Sequence, residues 1–235
     1  MNKKIIVALD FNNIEEVLSF VATVSPQECR LKVGKELFTA YGPLIITELH
    51  NRGFEIFLDL KFHDIPNTVY KAIKVAANLG VWMVNVHASG GREMMQKAKD
   101  AIEESVHKPL LIAVTILTSL SDKEISEIGY SKNLTEQALH LAKLSYECGL
   151  DGVVCSAHEA YLIKESTSTK FLTVTPGIRL SDNKTDDQTR IMTPENAINN
   201  GADYLVIGRP ITKAENPSEV LTNINKSIIN YCHKI

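Results

Sequence analysis

The feature that most constrains the fold is an alternation of short apolar segments with longer amphipathic segments along the chain. The apolar segments are rich in Val, Ile and Leu, which is typical of parallel strands buried on both faces. Eight strands are predicted, at residues 5–9, 31–33, 54–60, 83–87, 110–117, 152–155, 171–174 and 204–207. Helical periodicity lies between and after them, at residues 69–79, 93–104, 135–148, 194–200 and 218–231. Eight strands alternating with helices predict an α/β fold of the (β/α)8 TIM barrel type.

A doubly wound open sheet is the alternative arrangement for such a pattern. An open sheet that holds a dinucleotide needs a glycine-rich turn after its first strand, and here that strand ends in Ala8-Leu9-Asp10-Phe11. The chain has 235 residues and 44% hydrophobic content, which lies in the range where α/β barrels form one domain. We therefore expect a single barrel domain over residues 1–235.

Composition and charge narrow the class of partner. The net charge is −3 and no segment is rich in Lys and Arg, so neither nucleic acid nor an anionic membrane surface is expected as a partner. No apolar stretch approaches the roughly 20 residues that span a bilayer, and the N-terminus leads directly into a strand pattern. Four cysteines lack the spacing of a metal site and are interpreted as reduced packing residues: Cys29, Cys148, Cys155 and Cys232. These features predict a cytoplasmic protein that acts on a small molecule.

The segment DLKFHDIPNT, residues 59–68, places three charges at the end of an otherwise apolar strand. Because side chains alternate along a strand, Asp59 and Lys61 project to one face, roughly 6.6 Å apart along it. Asp64 precedes Pro66, a residue suited to the first turn of a helix, so Asp64 is equally suited to capping that helix. An Asp59–Lys61 ion pair could also be structural, but buried pairs seldom add net stability. The three charges together favour a functional site.

In a barrel the active site is built at the C-terminal ends of the strands. Further polar candidates at these ends are Asp10 after strand one, Lys32 in strand two, His87 and Ser89 after strand four, and Thr115 and Thr118 after strand five. For His87, a hydrogen-bonded histidine in the barrel interior is as good an interpretation as a catalytic one.

Two arginines follow the last two strands, where barrels often bind phosphate. Arg209 lies next to Gly208 after strand eight, where backbone N–H groups can point at an anion. Arg179 follows Pro176 after strand seven and could add a second charge-assisted contact. This pair predicts a substrate that carries a phosphate.

The polar segment 179–190 has no apolar periodicity and is long for a loop in a barrel. It is either a surface loop or a lid that closes over the phosphate and excludes water, with Gln188 as a contact. Its acidic residues would repel an anion, so only Arg179 and Gln188 are selected as candidates.

These elements together resemble orotidine 5'-phosphate decarboxylase, in its short bacterial form, over essentially the whole chain. The family's DxKxxD motif is present as Asp59, Lys61 and Asp64. Its other motifs are present as ALD with Asp10, LKVG with Lys32, LTS at residues 117–119, PGIR at residues 176–179 and IGRPI at residues 207–211.

The resemblance implies conversion of orotidine 5'-monophosphate to UMP and CO2, the last step of de novo UMP synthesis, without a metal or organic cofactor. Loss of CO2 from C6 leaves a carbanion that the ring cannot readily delocalise. A fixed ammonium must therefore stabilise the developing charge and deliver a proton, and Lys61 is the candidate for both roles. Asp59 is expected near the leaving carboxylate, and Lys32 and Asp64 are expected to complete an alternating charged network.

The resemblance also assigns substrate contacts and a partner. The expected contacts are Asp10 and Lys32 with the ribose hydroxyls, Thr118 with the base, Arg179, Gln188, Gly208 and Arg209 with the phosphate, and Pro176 lining the site. In this family the residues matching Asp64, Ile65 and Thr68 reach into the site of the neighbouring subunit. The resemblance therefore implies a homodimer with a site shared across the interface.

Two other functions stay open at this point. Metal-dependent sugar-phosphate enzymes of the same barrel group, such as 3-keto-L-gulonate-6-phosphate decarboxylase and hexulose-phosphate synthase, also carry DxKxxD but use magnesium. They resemble one another in an acidic ligand at the end of strand two, where this chain has Lys32, a cation that would repel a metal. A catalytically silent barrel that binds a nucleotide is the other alternative, although it would have no need of desolvated charges.

Overall fold

The Val- and Ile-rich segments form eight parallel strands that close into a barrel. In the computed structural model, residues 3–180 and 192–232 are described. The strands are β1 (Ile5–Ala8), β2 (Arg30–Gly34), β3 (Ile56–Phe62), β4 (Met83–His87), β5 (Leu110–Val114), β6 (Gly152–Val154), β7 (Leu172–Thr175) and β8 (Tyr204–Ile207). Each strand pairs in parallel with the next, and β8 pairs with β1. The predicted (β/α)8 barrel is confirmed.

Helices connect the strands and cover the outside of the barrel. They are α1 (Ile14–Val21), α2 (Lys35–Tyr41), α3 (Pro43–His50), α4 (Pro66–Asn78), α5 (Gly91–Glu103), α6 (Asp122–Glu127), α7 (Leu134–Glu147), α8 (Ala160–Ser166), α9 (Pro194–Asn199), α10 (Arg209–Thr212) and α11 (Pro217–Cys232). The five predicted helical segments correspond to α4, α5, α7, α9 and α11, with ends shifted by at most three residues. Within the described ranges, no helix is long and apolar enough to cross a bilayer.

Alternation along the strands divides the apolar core into two layers. One layer fills the barrel interior and includes Ile6, Phe57 and Ile112. The other lies between the strands and the helices and includes Ile5 and Val7, the neighbours of Ile6 on β1. Because both faces of a strand pack against apolar groups, the strand appears in the sequence as a continuous hydrophobic segment.

Aromatic side chains close the barrel at the N-terminal ends of the strands. The guanidinium of Arg30, at the start of β2, lies 4.0 Å from the ring centroid of Trp82. The ring of Tyr204, at the start of β8, packs edge-on against Trp82 with centroids 5.1 Å apart. Such a cation–π stack suits a buried arginine. The opposite ends of the strands carry the polar residues that were selected from the sequence.

Strand boundaries differ most from prediction in the third and fifth strands. The third strand runs to Phe62 instead of residue 60, and the fifth ends at Val114 instead of residue 117. In the fifth, the hydroxyl of Thr115 donates to the carbonyl of Val154 (3.0 Å), and the chain then leaves the sheet. Cys29, Cys148 and Cys155 are buried and free, as predicted, whereas the side chain of Cys232 lies outside the description.

We expect Gly152→Ala to destabilise the barrel strongly. A Cβ at Gly152 would lie 2.6 Å from the Cβ of Leu172 on the paired strand β7, and closer still to its carbonyl oxygen. Because a backbone carbonyl within the sheet cannot move aside, the free energy of unfolding should fall by about 3 kcal/mol. Urea unfolding followed by circular dichroism measures this change.

Gly129→Ala is the matched control for Gly152→Ala. Gly129 has a positive φ of 94° but nothing within 4 Å of an added Cβ, so it reports backbone strain without a clash. That strain costs about 1 kcal/mol. Equal losses for the two variants would contradict the steric explanation.

Candidate active site

The end of β3 supplies the central pair of charges. Asp59 and Lys61 share one side of the strand, and Lys61 Nζ lies 2.6 Å from Asp59 Oδ1. Leu58, Leu60 and Phe62 lie on the other side and line an apolar groove. The predicted alternation is therefore confirmed, and it brings an ammonium and a carboxylate into direct contact.

The backbone at Lys61 departs from regular strand geometry. Lys61 has φ 53°, and among the described residues it is the only one besides glycines with a positive φ. The pairing of β3 with β4 is irregular between Leu58 and Phe62. An L-residue in this left-handed region is strained by about 1–2 kcal/mol. The strain sits at the residue that the sequence indicates as central.

Asn85 on β4 connects the two charged residues, and the sequence reasoning missed it. Its Oδ1 accepts a hydrogen bond from the backbone N–H of Lys61 (2.8 Å), and its Nδ2 donates to Asp59 Oδ1 (2.7 Å). The side chain is fully buried. The sequence does carry one signal for Asn85, because it is an amide inside the apolar strand MVNVH. A buried amide must have hydrogen-bond partners, and these lie next to it in the fold.

Lys32 and Asp10 extend the pair into a row of alternating charges. Lys32 Nζ lies 3.4 Å from Asp59 Oδ2 and 3.4 Å from Asp10 Oδ1. Asp10 is largely exposed, whereas Lys32 and Asp59 are buried. Gly34 leaves space for the row, because a Cβ there would lie 3.1 Å from Lys32 Nζ. We call Asp10, Lys32, Asp59 and Lys61 the charged row.

The buried carboxylate of the charged row stays ionised. Burial raises the pKa of Asp59, but the charges of Lys32 and Lys61 and hydrogen bonds from Lys61 and Asn85 outweigh it. The net effect holds the pKa of Asp59 below its ordinary value. At neutral pH the site therefore presents a fixed anion between two ammonium groups.

His87 lies at the end of β4 beside the charged row. Burial, followed by the charges of His63, Lys61 and Lys35, lowers the pKa of His87 to about 4. The rings of His63 and His87 are 5.5 Å apart between centroids. His87 is therefore neutral near pH 7. A neutral imidazole suits a hydrogen-bonded histidine of the barrel interior and a catalytic histidine equally well.

A cavity of about 190 Å³ lies against the charged row. Lys32, Asp59 and Lys61 line it, together with Thr118 and Pro176. The remaining lining is apolar: Phe57, Val114, Ile116, Leu117, Val154 and Val206. A mostly apolar cavity with a few charged side chains is typical of a small-molecule site.

The loops after β7 and β8 hold the predicted phosphate residues. Gly208 adjoins the charged row, because a Cβ added to it would lie 3.6 Å from Asp10 Oδ2. Arg209 is exposed at the start of α10. The backbone N–H of Arg179 donates to Met192, and its guanidinium donates to the carbonyl of Ile178 (3.1 Å). Gln188, with most of the predicted lid at residues 179–190, lies outside the described residues.

Asp64, Ile65 and Thr68 stand apart from the charged row. All three are exposed at the start of α4, and Ile65 is 67% exposed. Asp64 Oδ1 accepts from the N–H of Ile65 (2.6 Å), and Asp64 takes part in none of the ion pairs within the described ranges. Within one chain the row thus ends at Lys61, without Asp64.

A metal ion requires a set of ligand side chains that lie close together. In residues 3–180 and 192–232, no group of three or more His, Cys, Asp or Glu side chains is placed to hold a metal ion. The end of β2 carries Lys32, whose ammonium is already paired with two carboxylates. A divalent cation at that position would meet a like charge.

Comparisons with known proteins point to one family. Residues 3–224 match the sequence model described as the orotidine 5'-phosphate decarboxylase / HUMPS family. The chain is 58% identical over 228 residues to orotidine 5'-phosphate decarboxylase of Pseudoalteromonas translucida, covering 97% of each protein. It is 54% identical to that of Psychromonas ingrahamii, covering 97% of this chain and 98% of the relative. The crystal structure of orotidine 5'-phosphate decarboxylase from Lactobacillus acidophilus superposes with a TM-score of 0.86 at 40% identity, covering 96% of this chain and 99% of that one.

The electrostatics of the charged row can be tested with Lys32→Met. Of the contacts that lower the pKa of Asp59, the charge of Lys32 contributes most, and burial opposes it. Without that charge the pKa of Asp59 should rise, as NMR titration of its carboxyl carbon would show. Lys35→Met, at the exposed start of α2, is the control and should leave the Asp59 titration unchanged. If the pKa of Asp59 in Lys32→Met equals that of wild type, Lys32 does not hold the Asp59 carboxylate ionised.

Proposed function

The chain belongs to the orotidine 5'-phosphate decarboxylase / HUMPS family, and we propose that its charged row converts orotidine 5'-monophosphate to UMP and CO2. This reaction is the last step of de novo pyrimidine nucleotide synthesis, and the enzyme is a carboxy-lyase. The observation that carries the assignment of roles is the 2.6 Å contact of Lys61 Nζ with Asp59, both of which line a mostly apolar cavity.

Lys61 is proposed to act on the carbon that loses CO2. As the bond between C6 and the carboxylate breaks, its electron pair remains on C6 and CO2 departs. The Lys61 ammonium stabilises that negative charge and then transfers a proton to C6, which gives UMP and a neutral amine. The amine regains a proton from solvent before the next cycle.

Asp59 is proposed to face the carboxylate that leaves. It is buried and ionised, so it presents a negative charge that does not have to be created during the reaction. Lys32 and Lys61 each contact a different oxygen of this carboxylate. Because these charges are oriented before substrate enters, little reorganisation accompanies bond cleavage.

The remaining candidates are proposed to bind the nucleotide. Asp10 and Lys32 would contact the ribose hydroxyls, and Thr118 and Pro176, which line the cavity, would contact the base. Gly208, Arg209, Arg179 and Gln188 would bind the phosphate. Arg179 uses one of its five N–H donors on the Ile178 carbonyl, so others can reach an anion.

We also propose a homodimer in which Asp64, Ile65 and Thr68 complete the partner's site. All three are exposed at the start of α4, which follows the strand β3 that carries Lys61. A partner subunit packed on this surface would cover the side chain of Ile65, which is 67% exposed. Asp64 would then continue the alternation of charges from the partner chain.

A metal-dependent sugar-phosphate enzyme is the less favoured alternative. The two relatives quoted above carry the name orotidine 5'-phosphate decarboxylase. Lys32 also stands where the metal-dependent enzymes are expected to hold an acidic ligand. We therefore propose a reaction that needs no metal. Free, buried thiols at Cys29 and Cys155 fit a reducing compartment, and we propose that the enzyme works in the cytoplasm.

The reaction and its central residue can be tested by following orotidine 5'-monophosphate by ultraviolet absorbance. Purified protein should convert it to UMP equally well with and without EDTA. Lys61→Ala should reduce turnover by at least about a thousandfold, because it removes both the charge and the proton donor. Lys97→Ala, an exposed lysine on α5, is the control and should keep full activity. Loss of turnover in EDTA would favour the metal-dependent alternative, and binding of UMP without turnover would favour a silent barrel.

The shared site can be tested by mixing two inactive variants, Lys61→Ala and Asp64→Ala. After subunit exchange, half of the dimers are mixed, and each mixed dimer rebuilds one complete site from the two intact residues. Activity should therefore return to roughly a quarter of the wild-type value. Exchange is verified by mass spectrometry of differently tagged chains. Proven exchange without regained activity would refute the shared site.

A further inference from the structure

Asn85 occupies a position that the proposed reaction does not yet explain. It lies on β4 between Val84 and Val86, and its side chain is fully buried in the barrel. Its backbone pairs regularly with Ile112 on β5, whereas the pairing of β4 with β3 is irregular. A buried amide in an apolar strand must have its polar atoms satisfied. Here its amide contacts both Asp59 and Lys61.

The hydrogen bonds around Asn85 form a closed ring. Asn85 Oδ1 accepts from the backbone N–H of Lys61 (2.8 Å), Lys61 Nζ contacts Asp59 Oδ1 (2.6 Å), and Asn85 Nδ2 donates to the same oxygen (2.7 Å). The opposite orientation of the amide would set Nδ2 against an N–H and Oδ1 against a carboxylate oxygen. The partners therefore determine how the amide is oriented.

The ring holds the backbone of Lys61 and its ammonium group, and the delivery of a proton depends on the position of both. Lys61 has a left-handed backbone, φ 53°, which L-residues adopt rarely and only where neighbouring groups hold it. Asn85 provides a hydrogen-bond acceptor for the Lys61 N–H where the β3–β4 ladder is irregular. At the other end, Asn85 fixes the carboxylate oxygen to which Lys61 Nζ is bonded. Asn85 on β4 thus holds the backbone of Lys61 directly and its ammonium group through Asp59.

We propose that Asn85 is a positioning residue that fixes the Lys61 ammonium and the Asp59 carboxylate for decarboxylation. The proposal rests on the role given above to Lys61. Only an amide of this length supplies both an acceptor for the N–H and a donor for the carboxylate. An aspartate there would lack the donor and would place a second negative charge against Asp59, while an aliphatic residue would leave both partners unpaired.

Two substitutions separate positioning from packing. Asn85→Ala removes both hydrogen bonds and leaves space, and the isosteric Asn85→Asp keeps the volume but loses the donor. Both should lower kcat by on the order of 10–100-fold, because a displaced ammonium no longer meets C6 correctly. KM and the Kd for UMP should stay within about threefold of wild type, because the side-chain hydrogen bonds of Asn85 within the described residues go to Asp59 and Lys61.

Thr173→Val is the matched control for loss of a buried hydrogen bond in the barrel. The hydroxyl of Thr173, on β7, donates to the carbonyl of Gly201 (2.7 Å), and the side chain is fully buried and does not line the cavity. This variant should lower Tm and leave kcat unchanged. If Thr173→Val loses as much kcat as the Asn85 variants for a similar fall in Tm, or if KM rises in proportion as kcat falls, Asn85 is structural and the proposal is wrong.

Assays of wild type and Lys61→Ala distinguish failure of the positioning role of Asn85 from failure of the proposed function. If wild type does not convert orotidine 5'-monophosphate, the function itself fails. If wild type is active, Lys61→Ala is inactive and the Asn85 variants keep kcat within twofold of wild type, only the positioning role fails. Failure of both Asn85 variants to fold would also overturn the proposal, because Asn85 would then be required for the barrel rather than for Lys61.

Discussion

The site depends on one buried anion, Asp59, held between two ammonium groups. A carboxylate taken out of water without partners would take up a proton instead of staying charged. Lys32 and Lys61 prevent this, because each contacts a different oxygen of Asp59. The three residues come from two neighbouring strands, so their separation is set by the sheet itself. Closing the barrel therefore fixes the electrostatics as well as the shape.

The same barrel also carries the strain at Lys61. A left-handed backbone at a lysine would relax in a mobile loop, but here the regularly paired β4–β5 side of the sheet is rigid. Asn85 transfers that rigidity to Lys61 through its amide. The cation–π stack of Arg30 at the opposite end leaves the C-terminal ends of the strands as the place where a substrate enters. Strain is concentrated at one functional residue while the remaining strands pack conventionally.

The fold could be predicted from the sequence because eight apolar segments leave few alternatives, and Lys32, Asp59 and Lys61 could be placed because strand alternation gives direction. Asn85 and the left-handed Lys61 could not be predicted, since both follow from an irregular β3–β4 register that is a property of two strands together. From the sequence, Asp64 fits a helix cap and a partner's site equally well; in the structure no side chain caps α4, and Asp64 accepts from the N–H of its N-cap residue Ile65. The roles of these residues, the contact by Gln188 and the single domain over residues 1–235 stay predictions.

Charge balance explains why the charged row is built from four residues instead of one lysine. A single buried ammonium would lose much of its hydration and would tend to give up its proton, which is the group that the reaction needs. Two carboxylates and two ammonium groups in alternation sum to zero, so the field of the row falls off within a short distance. Close to Lys61, however, the field is strong, because Asp59 is buried and water is largely excluded. The row thus confines a large electrostatic effect to the space where one bond of the substrate breaks.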